Sequence, residues 1–141
     1  GHVEVKAPYF QTLFEDCLLS LEEVKVLHIL PVSSGDMLQE FLNVADGEHH
    51  RFIGIMTGNP LSRVLVKYKF RKYSNVRLRN PKDITEAQYS QFGMKYYRDT
   101  GISLDPVHSI QSIYCANHLR RPLKEHVVIW MTQPDTHFFE N

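Results

Sequence analysis

Apolar and polar positions alternate along this chain in short blocks, and each block predicts an element. Phe10, Leu13, Phe14, Cys17, Leu18 and Leu21 recur at helical spacing with Gln11, Glu15, Asp16 and Ser20 between them, predicting one amphipathic helix opened by Pro8. Val24 to Val32 is β-rich and stops at the turn cluster Ser33-Ser34-Gly35-Asp36. Phe41 to Val44 and Phe52 to Met56 flank Asp46-Gly47 and read as a hairpin. Gly58-Asn59-Pro60 breaks the chain, after which Val64 to Phe70 and Asn75 to Leu78 are strand candidates carrying basic side chains. Asp83 and Glu86 have capping-box spacing, so a second helix should follow with Tyr89, Phe92 and Tyr96 on one face, ending near Gly101. Ile110 to Cys115 and Val127 to Met131 read as the last strands.

Five or six short strands and two helices predict a mainly β fold: a small OB-type barrel with an N-terminal helix and one inserted helix. Val26, Ile29, Phe41, Leu42, Ile53, Ile55, Val128 and Trp130 should contribute to its core. No repeat or linker divides the chain, so residues 8–132 read as a single domain. Residues 1–7 read as a leader with Gly1-His2 left over from cloning, and residues 133–141 as a tail. A length of 141 residues with 43% apolar positions suits one globular domain. No apolar run approaches a membrane span, and two cysteines are too few for a disulfide framework, which suits a reducing compartment.

Charge changes the picture more than composition does. The net charge is zero, yet Gly1 to His50 holds nine acidic and two basic residues, whereas Arg63 to Lys82 holds eight basic residues and no acidic one. A one-sided field of this kind attracts an acidic partner or phosphates, and a solvated face is the plainer alternative. Tyr68, Tyr73, Tyr96 and Tyr97 lie near Lys67, Lys69, Arg71, Lys72, Lys95 and Arg98, the combination that holds single-stranded nucleic acid by stacking and phosphate contacts. Tyrosines at such spacing also serve as core residues or cross-strand pairs.

Other chemistry is thin. Cys115 and His118 have the spacing of half a zinc site and His49-His50 adds a pair, but no Cys-x-x-Cys exists and a structural zinc needs four ligands, so neither metal nor cofactor is expected. No nucleophile elbow, phosphate-cradling glycine loop or metalloprotease helix is present, and no enzymatic activity is expected.

Val24-Lys25-Val26-Leu27-His28-Ile29-Leu30-Pro31-Val32-Ser33-Ser34-Gly35 resembles the first strand and turn of the N-terminal OB domain of the replication protein A large subunit. Leu42 to Gly47, Met56 to Leu61 and Val127 to Met131 are similar to that family's second, third and closing strands, in the same order, over about two-thirds of the chain. The resemblance implies a nuclear, non-catalytic interaction module of a genome-maintenance complex. Its barrel groove would take acidic, amphipathic partner segments, with single-stranded DNA bound weakly or through the parent complex. The family's groove arginines fall on Leu30, Gln39, Phe41 and Glu125, none of them basic. The groove here would instead use Ile53, Ile55 and Thr57 with Arg79, Arg120, Arg121 and Lys124. Tyr96-Tyr97-Arg98-Asp99-Thr100-Gly101-Ile102-Ser103-Leu104 resembles a stretch of PAZ domains, which hold RNA 3′ ends, although that family's next aromatic is missing near Gly101. This second resemblance implies a nucleic-acid site at Lys67, Lys69, Arg71, Lys72, Tyr96 and Tyr97.

Overall fold

The computed structural model describes residues 25–104, 108–119 and 126–130. They form an α/β domain, not a barrel. The elements in chain order are β1 (Val26–Val32), α1 (Asp36–Val44), β2 (His50–Met56), α2 (Pro60–Lys69), β3 (Val76–Arg79), α3 (Glu86–Thr100), α4 (Ser109–Asn117) and β4 (His126–Ile129). The four strands make one sheet in the order β3-β2-β1-β4, and every pair is parallel. Strand order progresses outward from β1 to β3 and then reverses to place β4 on the other side of β1.

The physical reason the barrel expectation fails lies in the strands themselves. Strands buried on both faces read as continuous apolar runs, whereas half-solvated antiparallel strands alternate. In β1 every residue except the half-buried Pro31 is buried, and in β2 only Arg51 is exposed. Parallel neighbours need a long crossover, usually a helix, and the segments between these strands supply it.

Three predicted strands are therefore helices. Phe41 to Val44 belongs to α1, whose buried residues Leu38 and Phe41 are three apart, and Asp46-Gly47 joins α1 to β2 instead of turning a hairpin. Val64 to Phe70 belongs to α2: the Asn59 side chain caps it by accepting from Ser62 N at 2.8 Å, and Pro60 occupies its first turn. Ile110 to Cys115 belongs to α4. The second predicted helix is present as α3, but its capping box is Thr85 with Gln88, two residues later than expected. It ends at Gly101 in the left-handed conformation (φ 75°). The strand expectations at Val26–Val32, Phe52–Met56, Val76–Leu78 and Val127–Ile129 agree with the structure. The predicted Phe10–Leu21 helix lies outside the described residues.

Two cores flank the sheet because successive strand residues point to opposite faces. On one face Leu30, Val32, Phe52 and Met56 pack with Leu38 and Phe41 of α1 and with Val66 and Phe70 near α2. On the other, Leu27, Ile29, Ile53 and Ile55 meet Cys115 and Ala116 of α4. Helix α3 then lies over α4 through Tyr89, Phe92 and Tyr96 against Ile110 and Ile113. Of the expected core, Val26, Ile29, Phe41, Ile53 and Ile55 are buried, whereas Leu42, Val128 and Trp130 are half-buried.

Pro31 sits inside β1 without breaking the sheet. Even-numbered residues of β1 bond to the β2 side, as Val26 N to His49 O and Val32 O from Thr57 N show. Odd-numbered ones face β4, as Ile29 O from Trp130 N shows. Pro31 faces β4 beyond the last described rung of that ladder, where its missing N–H costs no bond to β2.

The first face also encloses a polar chain. Trp130 Nε1 donates to His28 Nδ1 at 3.0 Å, and His28 Nε2 lies 2.9 Å from His50 Nδ1. An indole N–H can only donate, so His28 carries its proton on Nε2 and donates it to His50. Burial, with the neighbouring His50 charge adding to it, drives the His28 pKa down to about 3. Burial also lowers that of His50.

Candidate anion-binding crevice

The carboxyl ends of the parallel strands are where α/β sheets of this kind open to ligands, because the connecting loops splay apart there. Here that edge is formed by Ser33-Ser34-Gly35 after β1, Thr57-Gly58-Asn59 after β2 and Asn80-Pro81-Lys82 after β3. Gly35 is left-handed (φ 90°), and a Cβ on it would lie 2.6 Å from the Phe70 ring, so glycine is required. The loop lacks the three-glycine pattern of dinucleotide sites. It also carries Asp36 in the first turn of α1, where a carboxylate opposes a bound phosphate.

The polar opening lies farther along the edge. A crevice of about 460 Å³ is lined by Thr57, Arg63, Pro81, Lys82, Asp83, Ile84, Thr85 and Gln111. Three loops are tied together around it. Gln111, almost fully buried on α4, accepts from Lys82 N at 2.9 Å and donates to Lys82 O at 2.8 Å, clamping the β3–α3 loop onto α4. The Thr57 hydroxyl lies 3.0 Å from His108 Nδ1 at the start of α4. Arg63 Nε donates to Gly58 O at 3.0 Å, which aims the half-buried guanidinium along the β2–α2 loop.

The charges in the lining are Arg63, Lys82 and Asp83. Among the described residues neither cation pairs with a carboxylate: the ion pairs there are Lys69 with Asp36 at 3.5 Å and His49 with Asp46 at 2.9 Å. The charges of Arg79 and Lys82 favour the Cys115 thiolate. Burial nevertheless raises the Cys115 pKa, so the protein holds it as a thiol at neutral pH.

Of the residues expected to bind a partner, Thr57 lines the crevice and Arg79 lies exposed at the end of β3 nearby. Ile53 and Ile55 are only 4% and 3% exposed, in the core beneath α4, and cannot floor an open groove. Arg120, Arg121 and Lys124 lie outside the described residues. The barrel groove has no counterpart in an open parallel sheet.

The nucleic-acid set is divided. Lys67 and Lys69 are on α2 and Arg71 and Lys72 just follow it, over the first core, whereas Tyr96 and Tyr97 are on α3, over α4 and the second. Tyr96 is half-buried against α4, and Arg71 stacks on Tyr68 at 3.9 Å. Basic side chains and tyrosines thus do not form one stacking platform.

The half-zinc spacing is also separated in space. His118 Nδ1 bonds Tyr114 O at 2.8 Å and its ring stacks on Tyr114, while Cys115 packs toward the sheet. Among the described residues no three His, Cys, Asp or Glu side chains converge on a metal position. No helix there is long and apolar enough to cross a membrane.

Sequence reasoning held Arg63 and Lys82 only as the two ends of the basic run that could attract phosphates, and missed His108 and Gln111; the four come together only through the crossovers. Asn59-Pro60 was the available signal, because a cap followed by proline announces a helix start after β2.

Fold and crevice define a parallel α/β domain with a ligand-sized polar opening at its carboxyl edge. No protein-family model matches the chain, and no curated protein matches it.

Proposed function

We propose that this domain is a binding module for a small anionic ligand, a phosphate group or a phosphorylated compound, held in the crevice at the carboxyl edge. The observation that carries the reading is that Arg63 and Lys82 face one polar crevice without a carboxylate partner among the described residues. Asp83, the one acidic residue of the lining, is within ion-pair distance of neither, so the opening carries net positive charge that favours an anion. The guanidinium supplies planar paired donors, the ammonium a mobile point charge, and the Thr57 hydroxyl a neutral donor when His108 Nδ1–H donates to it. Thr85, the N-cap of α3, lines the same opening, but its N–H is already held by Gln88 and Glu86 follows in the first turn, so this helix end adds little. Asp83 opposes the anion and sets the affinity below what the two cations would give alone.

Titration of the protein with inorganic phosphate and with adenosine monophosphate, followed by amide NMR shifts, tests this. Saturable shifts should centre on Thr57, Lys82 and Thr85 and weaken with added salt. Arg63→Ala and Lys82→Ala should each weaken binding roughly tenfold or more, since hydrogen bonds to charged groups are worth ~1.5–3 kcal/mol. Asp83→Asn should tighten it. Absence of saturable binding by either compound, or binding indifferent to both cations, overturns the reading.

A further inference from the structure

Helix α2 is apolar on two opposite sides. Val66 and Phe70 hold it to the first core at 3% and 2% exposure. On the outer side Leu61, Val64, Leu65 and Tyr68 are 69%, 63%, 60% and 66% exposed. Their spacing of three, one and three residues puts them on one stripe. Side chains that keep this much exposure stand on a ridge, not in a groove, and a contiguous exposed apolar patch marks an interaction site. At 3.6 residues per turn, Lys67 and Lys69 fall on the two borders of the stripe. Arg71 closes one end, its guanidinium 3.9 Å from the centre of the Tyr68 ring, and Lys72 follows it, exposed. The rim has one sign. No acidic residue lies between Arg63 and Lys82, and among the described residues the carboxylate paired with this rim is Asp36, on Lys69 at 3.5 Å.

Ridge and rim together select the partner. Two copies of α2 meeting face to face would set like charges against each other. Nucleic acid offers nothing to three aliphatic side chains, and Arg71 already covers one face of the Tyr68 ring. An acidic peptide helix needs a groove for its apolar face, and side chains this exposed provide none. A lipid surface meets every condition. It takes a single apolar stripe along a helix lying in its plane, keeps the cations at headgroup level, and supplies the anions they face. Tyrosine and long basic side chains suit that level, each with an apolar body and a polar tip. No helix among the described residues is long and apolar enough to cross a membrane, and a contact of this kind needs none.

We propose that the outer face of α2 is a docking surface for an anionic membrane. Leu61, Val64 and Leu65 enter the boundary between headgroups and acyl chains, and Tyr68 lies at that boundary. Lys67, Arg71 and Lys72 hold anionic headgroups, and Lys69 contributes less because Asp36 occupies it. None of the four stripe residues lines the crevice, so this surface and the crevice reading stand or fall separately.

Sedimentation of the full chain with unilamellar vesicles tests this, one set made of phosphatidylcholine alone and one of phosphatidylcholine and phosphatidylserine in a ratio of three to one. Partition onto the mixed vesicles should exceed that onto phosphatidylcholine by at least about tenfold at low salt, and should fall as salt is added. Leu61→Ser with Leu65→Ser should lower it about tenfold or more, since that apolar area then no longer leaves water. Lys67→Glu with Lys72→Glu should remove the preference for phosphatidylserine. Met94→Ser, at an equally exposed 63% position on α3 over the other face of the sheet, should change neither. All five positions are exposed, so the substitutions leave both cores intact, and circular dichroism verifies this. Absent partition, or equal partition onto the two vesicle types, overturns the proposal. Partition indifferent to Leu61→Ser with Leu65→Ser also overturns it, because the chain then adsorbs by charge alone. So does a dimer in solution that the same pair of substitutions dissolves, which makes a second copy the occupant.

Discussion

The two faces of the sheet are built from the same strands but from different chemistry. Beneath α4 the core is aliphatic, with Leu27, Ile29, Ile53 and Ile55 in contact. Beneath α1 it is aromatic and partly polar: Phe41 packs 4.7 Å from the Trp130 ring, His28 stacks 4.8 Å from Phe52, and two histidines and an indole form a hydrogen-bonded chain. Both exclude water, but only one depends on protonation. An aliphatic core loses stability in proportion to the volume removed. A histidine-containing core also loses it whenever its donors and acceptors lose their partners.

The largest effect should come from the aromatic side. Phe41→Ala removes a fully buried ring against α1 and should destabilise by ~3–5 kcal/mol, whereas Ile29→Val beneath α4 should cost only ~0.5–1.5 kcal/mol. Urea unfolding of both variants measures the contrast, and equal losses would erase it.

Acid should act through the aromatic face. In the unfolded chain His28 titrates near 6.5, and in the folded protein at about 3. Between those values the unfolded state binds a proton that the native state refuses. Its stabilising contribution is therefore complete above pH 6.5 and is lost as the pH falls toward 3, at up to about 1.4 kcal/mol per pH unit. His28→Asn keeps a donor and an acceptor but cannot ionise. It should flatten this slope while lowering stability at neutral pH, and an unchanged slope would place the titration elsewhere.

A smaller effect than that of Phe41→Ala concerns the indole. Trp130→Phe keeps an aromatic ring against Phe41 but leaves His28 Nδ1 without its donor, for about 1–3 kcal/mol. Calorimetric unfolding near pH 8 isolates this loss from protonation.

Much of the local structure was legible. The runs Val26–Val32 and Phe52–Met56 announced strands, Gly101 a helix end, and Asp83 to Glu86 a nearby helix start. The helix at α2 was not legible, for a definite reason. Val66, Tyr68 and Phe70 alternate with Lys67 and Lys69 and satisfy the strand period, while Val66 and Phe70, four apart, satisfy the helical one. Tyr68 made the strand reading convincing, and it is an outer-stripe residue. The surplus apolar position was a surface feature, not a core one.

The candidate site was less legible than the fold. Arg63, Lys82 and Gln111 carry no motif and are far apart in sequence. They meet because parallel strands place the ends of β2 and β3 side by side and because Gln111 ties the β3–α3 loop to α4.

By itself the sequence determined where apolar strands run, that the first fifty residues are mainly acidic while residues 63–82 carry only basic charge, and that no nucleophile elbow, phosphate-cradling glycine loop or metalloprotease helix is present. Tertiary structure alone decided that the strands run parallel, that Val64 to Phe70 is helical, and that two distant cations share one crevice. Strand direction follows from which crossovers can bury both faces of the sheet at once. That is a property of the whole packed domain, and no local window of residues contains it.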